Sequence, residues 1–313
     1  MIAFQAILVI LLMVFVGYLF SSKGVINKRT GISLATVHTY VLAPCLFFLN
    51  IHLYITPQVV QDLLLPIATA ALSAVLGFFL GDLITRIVKL PQKRRGNFRT
   101  MVAISNSMFM GMPVCLAMFG EIAMGPIVVY FLCNSIVFWS FGYYMVLQDT
   151  DQPVKIFSAT ALKRMLSPGI IAAIIGFIVV YTGLNLPAFM SKTISVMGRV
   201  AGMMGTLLGG IILFRMELFK KGNMRYQKGL LPFIVGRYLV IPMMTLFLCW
   251  VFGLNRLTRD VFVIMSAMPP AIQPISISEQ FGADANFATL LFASATILGI
   301  AVVPFYAFLL SVI

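Results

Sequence analysis

Residues 105–113 read Ser105-Asn106-Ser107-Met108-Phe109-Met110-Gly111-Met112-Pro113, and residues 268–274 read Met268-Pro269-Pro270-Ala271-Ile272-Gln273-Pro274. Each stretch lies inside an apolar run of helix length. Proline removes one helix hydrogen bond, and its ring clashes with the carbonyl four residues back. Gly111, close to Pro113, lowers the cost of unwinding. Pro269, Pro270 and Pro274 crowd into the second stretch, so both runs are expected to be broken helices. The first stretch is followed by Phe119-Gly120-Glu121, and the second by Phe281-Gly282-Ala283-Asp284. Pro113 and Pro274 are 161 positions apart, and Gly120 and Gly282 are 162 apart. The two stretches therefore read as copies within an internal repeat.

The surroundings of these stretches are membrane-like. Of 313 residues, 61% are hydrophobic and 10% charged. A soluble domain has about 45–50% apolar and about 25% charged residues, so the composition implies a polytopic membrane protein. A spanning helix needs about 20 apolar residues. Ten such segments can be drawn, at 3–20, 32–53, 63–88, 100–119, 123–147, 168–184, 193–214, 230–252, 260–280 and 285–311. The first is not read as a secretory signal, because Lys23, Lys28 and Arg29 follow the apolar run and no positive charge precedes it. Cys45, Cys115, Cys133 and Cys249 lie singly in apolar runs, a pattern of buried thiols and not of disulfides or a metal site.

The net charge of +13 would suggest nucleic acid on a soluble protein. Here it sorts by loop. The loops after segments 1, 3, 5 and 7 hold three, six, three and five Lys or Arg, whereas the opposite loops hold only Lys192, Arg256 and Arg259. Arg199 and Arg237 lie at or inside segment ends. Basic loops stay in the cytoplasm, so both termini are expected outside, at the cytoplasmic membrane. Five segments per half is an odd number, so residues 151–313 enter the bilayer from the side opposite to residues 1–150. The expected fold is all-α, ten transmembrane helices in two inverted five-helix repeats, with segments 4 and 9 crossing. Nucleic acid is not an expected partner; the lipid bilayer is.

Lipid cannot satisfy the backbone groups freed by a break, so each break must be buried in protein or line an aqueous cavity. Paired breaks at equivalent places in two halves point to a binding site near the bilayer midplane. Each break leaves amide groups at a half-helix N-terminus, where partial positive charge favours a carboxylate or another small anion. Asn106 and Gln273 can donate to such an anion through their side-chain amides. The alternatives are structural kinks and, for Asn106, a hydrogen bond between helices. Pro44, Pro242 and Pro304 are isolated and read as ordinary kinks.

Asn106-Ser107-Met108-Phe109-Met110-Gly111-Met112-Pro113 with Met118-Phe119-Gly120-Glu121 resembles the fourth helix of the auxin efflux carrier family, which includes the PIN-formed carriers and bacterial permeases. Met268-Pro269-Pro270-Ala271-Ile272-Gln273-Pro274 through Glu279-Gln280-Phe281-Gly282 resembles the ninth helix, and Ala201-Gly202-Met203-Met204-Gly205-Thr206-Leu207-Leu208-Gly209-Gly210 the seventh. The resemblance covers nearly the whole chain. It implies a scaffold domain of helices 1, 2, 6 and 7, a transport domain of helices 3–5 and 8–10, elevator-like movement, and a homodimer joined through the scaffold. It implies a functional role for Asn106 and for crossover prolines that match Pro113 and either Pro270 or Pro274. With Gly111, Pro269 and Gln273 from the residue reading above, these are the expected substrate-binding residues. Asp82-Leu83-Ile84-Thr85-Arg86 resembles an Asp–Lys pair of plant members, with Arg in place of Lys, which implies a proton or support site. An interfacial ion pair is the alternative reading of Asp82 and Arg86.

His38 and His52 are too far apart along one helix to share a metal. His38 is read either as a proton relay or as a packing residue. The sequence lacks HExxH, paired Asp-rich motifs and a Ser nucleophile elbow, so an enzyme is not expected. No cofactor and no metal are implied. The function expected is secondary transport of a small organic anion, a dicarboxylate such as malate or malonate or an auxin-like aromatic acid. The rival within transport is a sodium-coupled symporter like the related bile acid carriers. A membrane enzyme or a non-transporting sensor is the remote alternative.

Overall fold

The computed structural model describes residues 2–54, 63–150, 168–215 and 228–313, and among them there are only helices and turns besides one isolated β-bridge. In chain order the α-helices are α1 (Ile2–Ser22), α2 (Lys28–Val37), α3 (Ala43–Tyr54), α4 (Leu64–Ile87), α5 (Gln92–Ala103), α6 (Met112–Phe119), α7 (Met124–Val137), α8 (Tyr143–Leu147), α9 (Pro168–Thr182), α10 (Ala188–Arg215), α11 (Leu230–Val235), α12 (Ile241–Val251), α13 (Arg256–Ser266), α14 (Gln273–Phe281) and α15 (Ala285–Val312). The central loop beyond Thr150 and the basic residues Lys220, Lys221 and Arg225 lie outside the described residues.

Six helical spans among the described residues are long and apolar enough to cross a membrane: Arg29–Leu49, Leu64–Ile87, Glu121–Leu147, Ala188–Ile211, Leu230–Val251 and Ala285–Val312. They correspond to segments 2, 3, 5, 7, 8 and 10. Segments 4 and 9 do not qualify because each is divided into two shorter helices, α5 with α6 and α13 with α14. Segments 1 and 6 contribute shorter apolar stretches, Leu12–Ser22 and Ile171–Thr182. Large apolar side chains stand outward on these helices, among them Phe79, Trp250 and Phe308. That arrangement suits lipid and would be costly in water. The protein is a multi-pass membrane protein.

Prolines shape segments 2, 4 and 8 through one device. Wide π turns at His38–Leu42, Ser107–Gly111 and Gly236–Val240 each end two residues before Pro44, Pro113 or Pro242. The wider turn makes room for the ring over the carbonyl four residues earlier, so these prolines bend the path without ending it.

The chain divides into two compact units. The first comprises Met1–Leu65, Met108–Val129 and Leu166–Glu217. Within it α1 lies against α10 at very short range. A Cβ on Gly210 would fall 1.8 Å from the Val14 carbonyl oxygen, and one on Gly17 would fall 2.1 Å from that of Leu207. Small residues allow such approach where lipid offers no hydrophobic drive for association. Helix α3 packs on α9 and α10, with Gly176 facing Ile51 and Gly198 facing Leu46.

The second unit comprises Pro66–Ser107, Tyr130–Met165 and Leu218–Ile313. Its α4 meets α5 through Gly77 and Gly81, which face the backbones of Ala103 and Arg99. Its core includes Phe98, Phe233, Phe262 and Tyr306, all fully buried. Helices α13 and α15 begin with side-chain caps, in which Asn255 and Asp284 accept from the amides of Thr258 and Phe287. Such caps satisfy backbone donors that helix geometry leaves unpaired.

Candidate binding site at the helix crossing

Helices α5 and α13 both stop in the interior of the second unit. Ile104 caps α5 in extended conformation, with φ −101° and ψ 124°. The extended residues after α5 meet those after α13 in an antiparallel bridge between Ser105 and Pro270. The Asn106 N–H donates to the Pro269 carbonyl at 2.8 Å, and the Ala271 N–H donates to the Ile104 carbonyl at 3.0 Å. Two backbone donors and two acceptors freed by the breaks therefore satisfy each other, as burial demands.

Of the residues singled out in the sequence, Asn106, Pro269 and Pro270 are brought together at this bridge. Asn106 is 8% exposed, and both prolines are buried. Gln273 and Pro274 open α14 immediately beyond, where a proline at the second position costs no helix bond. Gly111 and Pro113 belong to the first unit. There Gly111 has ordinary helical φ of −65°, and Pro113 occupies the second position of α6. The extended part of segment 4 thus lies at residues 104–106, upstream of both, because the π turn absorbs Pro113. Helices α6 and α14 both end at a glycine of positive φ, Gly120 at 72° with ψ −170° and Gly282 at 83° with ψ 23°, and side-chain-bearing residues rarely adopt either conformation. This gives a physical reason for the repeated Phe-Gly pairs.

Two residues at the crossing were not singled out from the sequence. Asn134 of α7 donates through Nδ2 to the Ser105 carbonyl at 2.9 Å and to Ser107 Oγ at 3.2 Å. Arg237, fully buried in the π turn before α12, donates through Nη1 to the Val102 carbonyl at 2.8 Å. Its Nη2 donates to Ser266 at 2.9 Å and Met268 at 2.7 Å, and its Nε donates to Met268 at 3.0 Å. A polar residue in an apolar run was the available signal for each, since ionisable groups inside a span mark function by default.

Asp82 and Arg86 form the expected i, i+4 pair at 2.7 Å, and Arg99 of α5 binds the other Asp82 oxygen. Arg86 points outward and is largely exposed, while Asp82 and Arg99 are mostly covered. The sequence pair is therefore a triad that ties α4 to α5. At the same helix α5, Asp149 is buried and accepts from the N–H groups of Gly96 and Asn97 at 2.7 and 2.8 Å. Burial pushes its carboxyl up to about 7, against the two N–H donors and Arg99, which lower it, and with Asp284, which raises it.

In the first unit, His38 is buried, lies tilted against Phe109 with ring centroids 5.0 Å apart, and donates through Nε2 to the Ala201 carbonyl at 2.9 Å. A carbonyl cannot donate, so Nε2 carries the proton.

Residues 2–307 match a family described as "Membrane transport protein". The chain is 24% identical over 302 residues to an uncharacterized transporter of Methanocaldococcus jannaschii, covering 95% of each chain. It is 22% identical over 317 residues to an uncharacterized transporter of Methanothermobacter thermautotrophicus, covering 98% of each. The resemblance read from the paired motifs agrees with these matches.

Proposed function

The chain belongs to the membrane transport protein family, and from that premise we propose that it is a secondary transporter of a small organic anion. The substrate class is a dicarboxylate such as malate or malonate, or an auxin-like aromatic acid. The observation that carries the reading is the bridged crossing of Ser105 and Asn106 with Pro269 and Pro270. An interrupted pair of helices buried within a membrane protein is what a midplane carrier site is built from. Asn106 is assigned an amide donor to the carboxylate, and Gln273 at the start of α14 a second one.

Transport proceeds by elevator-type alternating access, with the unit that bears the crossing as the moving part. Support comes from the other unit, which gathers segments 1, 2, 6 and 7, the helices assigned to the scaffold and to a homodimer interface, together with Met108–Val129. The Asp82–Arg86 pair, with Arg99, is assigned the supporting site on the moving part. The membrane is the cytoplasmic one, with both termini outside.

The test is counterflow in proteoliposomes. Vesicles preloaded with one unlabelled acid from a panel of mono- and dicarboxylates should accumulate its labelled form transiently above equilibrium. A panel in which no organic anion gives an overshoot, or binds to the purified protein, would refute the substrate class.

A further inference from the structure

Arg237 carries a full positive charge at 0% exposure, and among the described residues it forms no ion pair. Burying such a charge alone costs several kcal/mol, so something must compensate it. Its guanidinium donates to three main-chain carbonyl oxygens, those of Val102, Ser266 and Met268. Val102 lies in the last turn of α5, Ser266 ends α13, and Met268 follows it. These are carbonyls that a terminating helix leaves without partners, at the end of the helix where partial negative charge collects. Two helix C-termini therefore face one guanidinium.

Carbonyls at the C-terminal ends of half-helices are also the ligands with which membrane carriers hold a monovalent metal ion. Here the oxygens sit 2.7–3.0 Å from guanidinium nitrogens. We propose that the carbonyls of Val102, Ser266 and Met268 form a monovalent-cation site that the chain fills with its own Arg237. The tethered guanidinium neutralises both helix ends permanently. Arg suits the place because its planar donors reach several acceptors at once and its charge is never lost. The crossing is then held without an inorganic cation, and its fixed charge favours an anion in the proposed carrier. That effect on an anion rests on the proposed function, whereas the cation site rests on the fold of the second unit alone.

The experiment is melting of the purified protein. Arg237→Ala removes the tether and leaves the carbonyls. In choline chloride it should melt below the parent, and replacing choline by methylguanidinium or sodium at constant ionic strength should raise its melting temperature saturably by about 3 °C or more. The parent and Arg237→Met, which fills the space without charge, should not respond. Arg237→Lys keeps a cation and should melt between Arg237→Met and the parent. An Arg237→Ala protein that melts with the parent in choline, or one that neither cation raises, overturns the proposal. Where Arg237→Ala cannot be isolated, a lysine variant no more stable than the methionine one overturns it equally. Because melting and not uptake is read, a protein that carries no organic anion would leave the result standing.

Discussion

Asn106 and Pro269 are joined by a backbone hydrogen bond of 2.8 Å, although most of the second half of the chain separates them. The bond uses the main-chain N–H of Asn106, so it survives loss of the side chain. Asn106→Ala is therefore expected to fold and to melt near the parent temperature. Loss of an amide donor to a charged group costs about 1.5–3 kcal/mol. Affinity for the organic anion should fall roughly ten- to a hundred-fold, as measured by calorimetry or thermal shift. A stable variant that binds like the parent removes this amide from the site.

Much of this crossing could be read from local chemistry. Proline and glycine announce their backbone needs, so Pro113, Pro269 and Pro270 located the interrupted segments, and Gly120 and Gly282 the helix ends that follow them. What could not be read is where the freed carbonyls find donors. Arg237 was placed only at or inside a segment end, because its partners, Val102 and Met268, lie far away in sequence. Asn134 stood out as a polar residue in an apolar run, but its partners Ser105 and Ser107 could not be read from that. The extended residues also fall at 104–106 and not at Gly111–Pro113, since a π turn is a tertiary accommodation that no residue type announces.

Gly96 and Gly125 should respond oppositely to alanine. A Cβ on Gly96 would lie 1.8 Å from the Met145 carbonyl oxygen and 2.9 Å from Asp149 Oδ1, and backbone cannot swing aside. Gly96→Ala should lose stability at the upper end of the roughly 1–3 kcal/mol typical of overpacking. Gly125 has no atom within 4 Å of its would-be Cβ, so Gly125→Ala should melt at or slightly above the parent temperature.

Asp149 should give the protein a pH-dependent stability. Its carboxyl titrates at about 7 when folded against 3.8 ordinarily. Between those values the folded state holds a proton that the unfolded state has released, so stability falls as pH rises through this window. Melting temperature should be higher at pH 5 than at pH 8. In Asp149→Asn that slope should shrink, because the titrating group is gone. An unchanged slope would assign the effect to another group.

Orientation is open to a direct test. A single cysteine placed in the 148–166 loop of a cysteine-free variant should resist an impermeant maleimide added to intact cells and react in inverted vesicles. Labelling from outside would reverse the proposed topology.

Sodium should be dispensable. Uptake of the organic anion into proteoliposomes is expected to persist when choline replaces sodium on both sides. A steep loss would favour the symporter mechanism of the bile acid carriers.

The proline pair at the bridge also has a bearing on alignment. Neither Pro269 nor Pro270 has an N–H, so the first donor the α13 side can offer is Ala271. Sliding that side by two residues would bring Pro269 opposite the Ile104 carbonyl and lose a bond. Sliding it the other way would require the first residues of α14 to unwind. The bridge therefore closes in one frame only and cannot lengthen into a ladder. In effect Pro269 and Pro270 act as a key, setting where two long stretches of chain come to rest to within a single residue.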